Sequence, residues 1–183
     1  MGITVICDLH PKNRREPMLK IEDIAEIVLG NLEYYNKYNA EQQKLIYQPM
    51  YKYIRDIAFN PLNWGKKRGV SRAAQEFAEK NKFGNELKYI KQTQLTKLKD
   101  PNRSDDKGKT ALVLEHFVPA KQLMDELLDI KKPTLQDVIN VMEKADVKVI
   151  TWKEHEKLEK TGNKDKRPDP KKAYKEAGIE LIK

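Results

Sequence analysis

The 183-residue sequence contains a single cysteine, Cys7, and only three histidines. One cysteine cannot form an internal disulfide or supply a cysteine-based zinc cluster, so any metal site must use imidazole and oxygen ligands. No apolar run is long enough for a membrane span, and the first residues lack a basic leader followed by an apolar region and a cleavage site. We therefore expect a cytoplasmic protein with no membrane partner.

The charge balance is strongly basic, with a net charge of +8 and a pI of about 9.3. A surplus of this size favours a polyanionic partner, most often a nucleic acid. Residues 61–110 hold thirteen Lys or Arg against six Asp or Glu, so we expect the stretch 66–109 and the tail at 164–172 to contact phosphates. The alternative is that this charge run is only a solvated face. The positions predicted to bind double-stranded DNA are Lys66, Lys67, Arg68, Arg72, Lys107 and Lys109.

The first hundred residues are predicted to be mainly helical. Apolar residues recur at helical spacing from Ile21 to Tyr38, and Asn39 is suited to cap a second helix that runs to about Phe59. Pro49 is expected to kink this second helix or to end its first half. The other elements predicted here are a strand over 3–7, a helix from Ser71 to about Lys82 and a helix over 85–98.

An acid and an imidazole stand side by side at the end of a predicted strand. Residues 110–119, TALVLEHFVP, form an apolar run that contains Glu115 and His116 and ends at Pro119. Alternation along a strand places these two side chains on opposite faces. Because the strand ends within three residues, we expect the alternation to relax there and both groups to converge on one site.

A second Glu-His pair follows another short strand. Residues 147–150 are apolar enough for a strand, and Thr151 with Glu154 matches the capping box of a new helix. His155 then lies in the first turn of that helix. It can meet the first pair only if the helix folds back onto the strands. Two further helices are predicted between the pairs, at about 120–130 and, capped by Thr134, at 135–144.

This strand, strand, helix order resembles the ββα-metal endonucleases, also called the HNH or His-Me finger family. Their pattern is an acid-His pair with a nearby proline at the end of the first strand and a histidine on the following helix. Here Glu115-His116 with Pro119 corresponds to the first element, and the helix that carries His155 corresponds to the last. The resemblance covers about residues 110–160.

The resemblance implies a role for each residue. His116 would be the general base that activates water, while Glu115 and His155 would ligate one divalent cation, Mg or Mn. Such a cation neutralises the phosphodiester, which otherwise repels hydroxide. The family's middle Asn is absent here, and Asp146 is expected to replace it as the acceptor that fixes the loop or as a third metal ligand.

The sequence therefore predicts a mainly helical α+β protein with a helical N-terminal region and a C-terminal ββα-metal core. The expected division is 1–105 as a basic DNA-binding region, 106–162 as the nuclease core with inserted helices, and 163–183 as a basic extension. The function implied is a metal-dependent DNA endonuclease of restriction, phage or homing type, possible as a homodimer. The alternatives are a non-catalytic nucleic-acid-binding or phage inhibitor protein and an RNA-cleaving toxin.

Overall fold

The computed structural model describes residues 20–59, 68–83, 86–90, 92–95, 98–100, 110–162 and 165–182. This part of the chain is a mainly helical α+β structure with one small mixed sheet. No helix in it combines the length and the apolar character needed to cross a membrane. The elements are α1 (Ile21–Tyr35), α2 (Ala40–Phe59), β1 (Gly69–Ser71), α3 (Arg72–Lys80), a 3₁₀ turn (Leu87–Tyr89), α4 (Gln92–Leu95), β2 (Leu112–His116), α5 (Ala120–Asp129), α6 (Leu135–Met142), β3 (Val147–Thr151), α7 (Trp152–Lys160), α8 (Pro170–Glu176) and β4 (Leu181–Ile182).

The four strands lie in the order β2-β3-β1-β4. Strands β2 and β3 are antiparallel, and Glu115 stands opposite Lys148 while His116 stands opposite Val147. Strand β1 runs parallel to β3, and β4 pairs antiparallel with β1 at the far edge. The predicted pair of strands is therefore the antiparallel half of a larger sheet, which strands from distant parts of the chain complete.

The two faces of the sheet are covered by different helices. Ile150 packs with Leu158 of α7 and with Val113 in one apolar cluster. Since opposite residues in an antiparallel pair share a face, Glu115 and Lys148 lie on this side, which we call the α7 face. The other side carries Val149 and Leu112 against α3. We call it the bundle face, because Val147 on the same side joins the core of the four helices described next. Period-two alternation in both strands sorts the side chains in this way.

Helices α1, α2, α5 and α6 pack around one shared apolar core. The two helices inserted between β2 and β3 thus pack on the two N-terminal helices, and Val147 at the start of β3 joins the same core. Fully buried members include Val28, Met50, Leu123 and Met142. This packing anchors one end of the β2–β3 pair, from which the acidic and imidazole side chains project.

Helix α2 does not end at Pro49 but continues through it to Phe59. Proline removes one helical hydrogen bond, and the burial of Met50 and Ile54 in the shared core opposes a break at this point. Asn39 caps α2 as expected, since its side-chain oxygen accepts from the backbone N–H groups of Glu41 and Gln42. The helix therefore reaches Phe59 as expected, with Pro49 inside it.

Other elements differ from the sequence-based expectation. In the described part of 85–98, the short 3₁₀ turn and α4 stand in place of the predicted helix. Strand β1 was not expected, because three residues are too few to show an alternating pattern. The predicted strand at 3–7 lies outside the described residues.

Candidate functional site

Helix α7 is fixed at its first residue to the end of strand β3. Thr151 is its N-cap, and the Thr151 side chain accepts from Glu154 N while Glu154 accepts from Thr151 N at 2.8 Å. The Glu154 carboxylate also accepts from the Ser71 hydroxyl at 2.7 Å, at the end of β1. The capping box predicted from sequence is therefore confirmed. It orients the first turn of α7, and with it His155, across the sheet.

Glu115 and His155 meet across the α7 face. His155 Nδ1 lies 2.8 Å from Glu115 Oε2, although forty positions separate the residues. The Glu115 side chain is 12% exposed and that of His155 is 21% exposed, so the contact is largely shielded from water. The His155 ring also packs against the Trp152 indole, with 4.9 Å between ring centres. This contact joins strand β2 to helix α7.

Arg167 is a third member of this site and was not predicted from sequence. Its side chain is 2% exposed, and its guanidinium pairs with the second carboxylate oxygen of Glu115. The same guanidinium donates to the backbone carbonyl of His116. It also lies 5.9 Å from the centre of the Tyr174 ring. Arg167 therefore attaches the segment before α8 to the end of β2.

The surroundings of Glu115 keep it ionised. Burial is the largest single influence and disfavours the charge, but the hydrogen bond with His155 and the charge of Arg167 outweigh it, so the pKa of Glu115 is lowered. A carboxylate has no proton to donate. His155 Nδ1 must therefore carry the hydrogen of their contact. In a neutral His155 ring this leaves Nε2 without a hydrogen and able to accept a proton, while the Glu159 carboxylate oxygen at 3.7 Å is too far away for a hydrogen bond.

His116 does not converge with Glu115. Its imidazole is on the bundle face, where Nε2 lies 3.5 Å from the carbonyl oxygen of Arg55 in α2. The expectation that both groups share one site is corrected, because regular pairing continues through His116 and keeps the alternation intact. Burial lowers the pKa of His116, and the hydrogen bond with Arg55 only partly offsets this effect.

The lowered pKa of His116 predicts a dependence of stability on pH. In the unfolded chain a histidine has a pKa of ~6.5, so below that pH residue 116 binds more protons in the unfolded state than in the native state. The contribution of His116 is complete above this value and is lost as the pH falls. When the pH is lowered from 7 to 5.5, the free energy of urea unfolding should fall less in His116→Gln than in the parent. Equal losses would mean that His116 is not held neutral by the fold. Glu115, with a lowered pKa, acts only at still lower pH.

Asp146 lies beside the site but does not join it. Asp146 immediately precedes β3, its carboxylate pairs with the ammonium group of Lys148 on that strand, and its backbone carbonyl accepts from Phe117 N at 2.8 Å. In the part of the chain that the structure describes, no three His, Cys, Asp or Glu side chains cluster closely enough to hold a metal ion. Glu115 and His155 are two possible ligands, but the Glu115 carboxylate is already paired with the guanidinium of Arg167. As placed, these side chains do not fit a divalent cation.

The predicted phosphate contacts are only partly within the described residues. Lys66, Lys67, Lys107 and Lys109 lie outside them. Arg68 is 5% exposed, donates to the carbonyl of Ile90, and has a pKa lowered by burial. It is therefore part of the interior, which corrects its assignment to a DNA-binding surface. Arg72 is exposed and makes a two-point ion pair with Glu180, at 2.7 and 2.6 Å.

Comparisons with protein-family models, with curated proteins and with solved structures found no match.

Proposed function

We propose that this chain is a nuclease that hydrolyses phosphodiester bonds at the Glu115–His155 pair. The observation that carries the proposal is the 2.8 Å contact between a carboxylate on β2 and an imidazole on α7. An antiparallel strand pair followed directly by a helix supports it, since this is the order of elements expected from the resemblance. The basic charge of the chain favours a nucleic-acid substrate.

In this proposal His155 is the general base and Glu115 orients it. The carboxylate holds the Nδ1–H tautomer, so Nε2 is the atom that accepts a proton from water. The water oxygen forms a bond to phosphorus as the bond from phosphorus to the leaving oxygen breaks. The leaving oxygen then takes a proton from solvent. A base oriented by a carboxylate is a recurring arrangement in hydrolases.

The roles differ from those implied by the sequence resemblance. That pattern makes His116 the base, but its imidazole is on the opposite face of the sheet from Glu115 and contacts Arg55. We therefore assign the base to His155. The resemblance also implies an Mg or Mn ion held by Glu115, His155 and Asp146, but Glu115 is paired with Arg167 and Asp146 with Lys148. No step above passes through that ion, and the requirement for it is left to a direct assay.

One observation favours a second function, the non-catalytic nucleic-acid-binding protein. Arg167 is almost fully buried and satisfies Glu115 and the carbonyl of His116 together. Such a network also holds the segment before α8 against β2 without taking part in catalysis, and we call this role the clamp. The clamp alone requires Glu115 and Arg167 but assigns no function to Nε2 of His155, so activity in variants of His155 distinguishes the two proposals.

The experiment is a cleavage assay with supercoiled plasmid, single-stranded DNA and single-stranded RNA. Each substrate is incubated with the protein in Mg, in Mn and in EDTA, beside a His155→Ala sample purified in the same way. The proposed function predicts cleavage of at least one substrate by the parent and loss of that cleavage in the variant. If the parent protein binds nucleic acid but cleaves none of the three substrates in Mg, in Mn or in EDTA, the non-catalytic binding protein would be favoured instead.

A further inference from the structure

A cleft lies between α8, the end of β2 and the chain that leads into β4. Its volume is about 480 Å³, within the range of ~300–1,000 Å³ that small-ligand sites occupy. Phe117, Tyr174, Ile179 and Leu181 form an apolar floor and wall. The Phe117 and Tyr174 rings meet edge to face with 5.0 Å between their centres, so this floor is packed and not open.

The backbone at the end of α8 shapes the cleft. Gly178 has a φ of 68°, a left-handed conformation that suits glycine and ends the helix. The chain then turns back, with Ile179 N donating to Tyr174 O at 2.8 Å, and enters β4. The wall of the cleft is therefore fixed by a helix cap and by strand pairing, so the site is formed before any ligand arrives.

The charge of the cleft is positive. Lys171 and Lys175 are four residues apart, on one side of α8, and both line the cleft. Among the described residues neither ammonium group has an ion-pair partner. The acidic side chain in the lining, Glu180, is held by both guanidinium contacts of Arg72, which lower its pKa. Two lysines without an ion-pair partner in the described part of the chain therefore line a cleft whose acid is already paired.

We propose that this cleft binds one nucleotide unit of a nucleic-acid strand. The phosphate lies between Lys171 and Lys175, and the sugar lies against Phe117 and Leu181. The cleft adjoins the candidate site, because the Tyr174 ring contacts both Phe117 and the guanidinium of Arg167. The choice of a nucleic acid rests on the proposed function, whereas the preference for an anion rests on the two lysines alone.

The test compares two sets of charge removals on the same helix. Lys171→Ala/Lys175→Ala removes both cations of the cleft. Lys172→Ala is a single-charge control on the same helix, since Lys172 is 69% exposed, lies 3.8 Å from Glu176 and does not line the cleft. Affinity for a labelled single-stranded oligonucleotide and for its duplex is measured by anisotropy over a salt series, with a free mononucleotide as a third ligand.

Each lost phosphate contact reduces the slope of log affinity against log salt by ~0.7 on a single strand and ~0.9 on a duplex. We expect the double variant to bind more weakly and to lose ~0.7 from the slope on a single strand or ~0.9 on a duplex, the amount for the one phosphate held between the two lysines, while Lys172→Ala keeps the parent slope. A parent slope in the double variant would overturn the proposal, as would an equal loss in the control. If the double variant lost affinity only for the mononucleotide, a nucleic-acid strand would be ruled out as the ligand of the cleft.

These readings do not depend on catalysis. If the slope falls as expected but no substrate is cleaved, the cleft stands and the nuclease proposal fails. If cleavage depends on His155 and the slope is unchanged, the nuclease stands and the cleft fails. The two lysines are exposed, so their replacement is not expected to unfold the protein.

Discussion

His155→Ala is expected to lower phosphodiester cleavage at least ~100-fold, the usual contribution of a general base, whereas His116→Ala should retain most of the activity. The reason is position. His155 shares the α7 face with the Glu115 carboxylate, while His116 contacts the carbonyl of Arg55 on the bundle face. Initial rates on whichever substrate the parent cleaves, with oligonucleotide affinity measured alongside, check this prediction.

Stability must be measured in both histidine variants, since each side chain is partly buried. Activity per folded molecule is then compared at a temperature where both are native. The reverse pattern, with His116→Ala inactive and His155→Ala active, would restore the base that the sequence resemblance implies. Full activity in both variants would remove both imidazoles from the chemistry.

The sequence predicted the parts of the site that depend on local rules. The capping box at Thr151 and Glu154 follows from side chains that hydrogen bond within one helical turn. The two short strands follow from apolar runs that turn signals interrupt. Together these place His155 at the start of a helix beside the sheet. The contact between Glu115 and His155 follows once that helix packs back on the strand pair.

What the sequence did not predict depends on distant partners. Arg167 stands in a polar, Lys- and Pro-rich segment, and its only local signal is the following Pro168, which favours an extended backbone. Nothing nearby shows that it is buried against β2. Arg68 was misassigned for the same reason, because a basic run looks solvated until the carbonyl that accepts from it is known. The position of His116 on the bundle face could be assigned only once the pairing register of β2 on β3 was known.

Glu115→Ala is expected to destabilise the fold by about 3–5 kcal/mol, because it leaves the buried guanidinium of Arg167 without its carboxylate. Removing both charges should cost less, so Glu115→Ala/Arg167→Met should recover part of the loss. Urea unfolding of the parent, the two single variants and the double variant measures the coupling between the two side chains. Glu159→Ala is the control, since the Glu159 side chain is 36% exposed against 12% for Glu115, and its carboxylate lies 3.7 Å from the His155 ring instead of 2.8 Å.

The size of the recovery decides how the network works. A double variant as unstable as the sum of the two singles would mean that Arg167 is held by its backbone acceptor at His116 and not by Glu115. A large recovery would show that the ion pair is the clamp that attaches the segment before α8 to the sheet. A double variant that recovers stability but not cleavage would separate the two functions of Glu115, because only the orientation of His155 would then be missing.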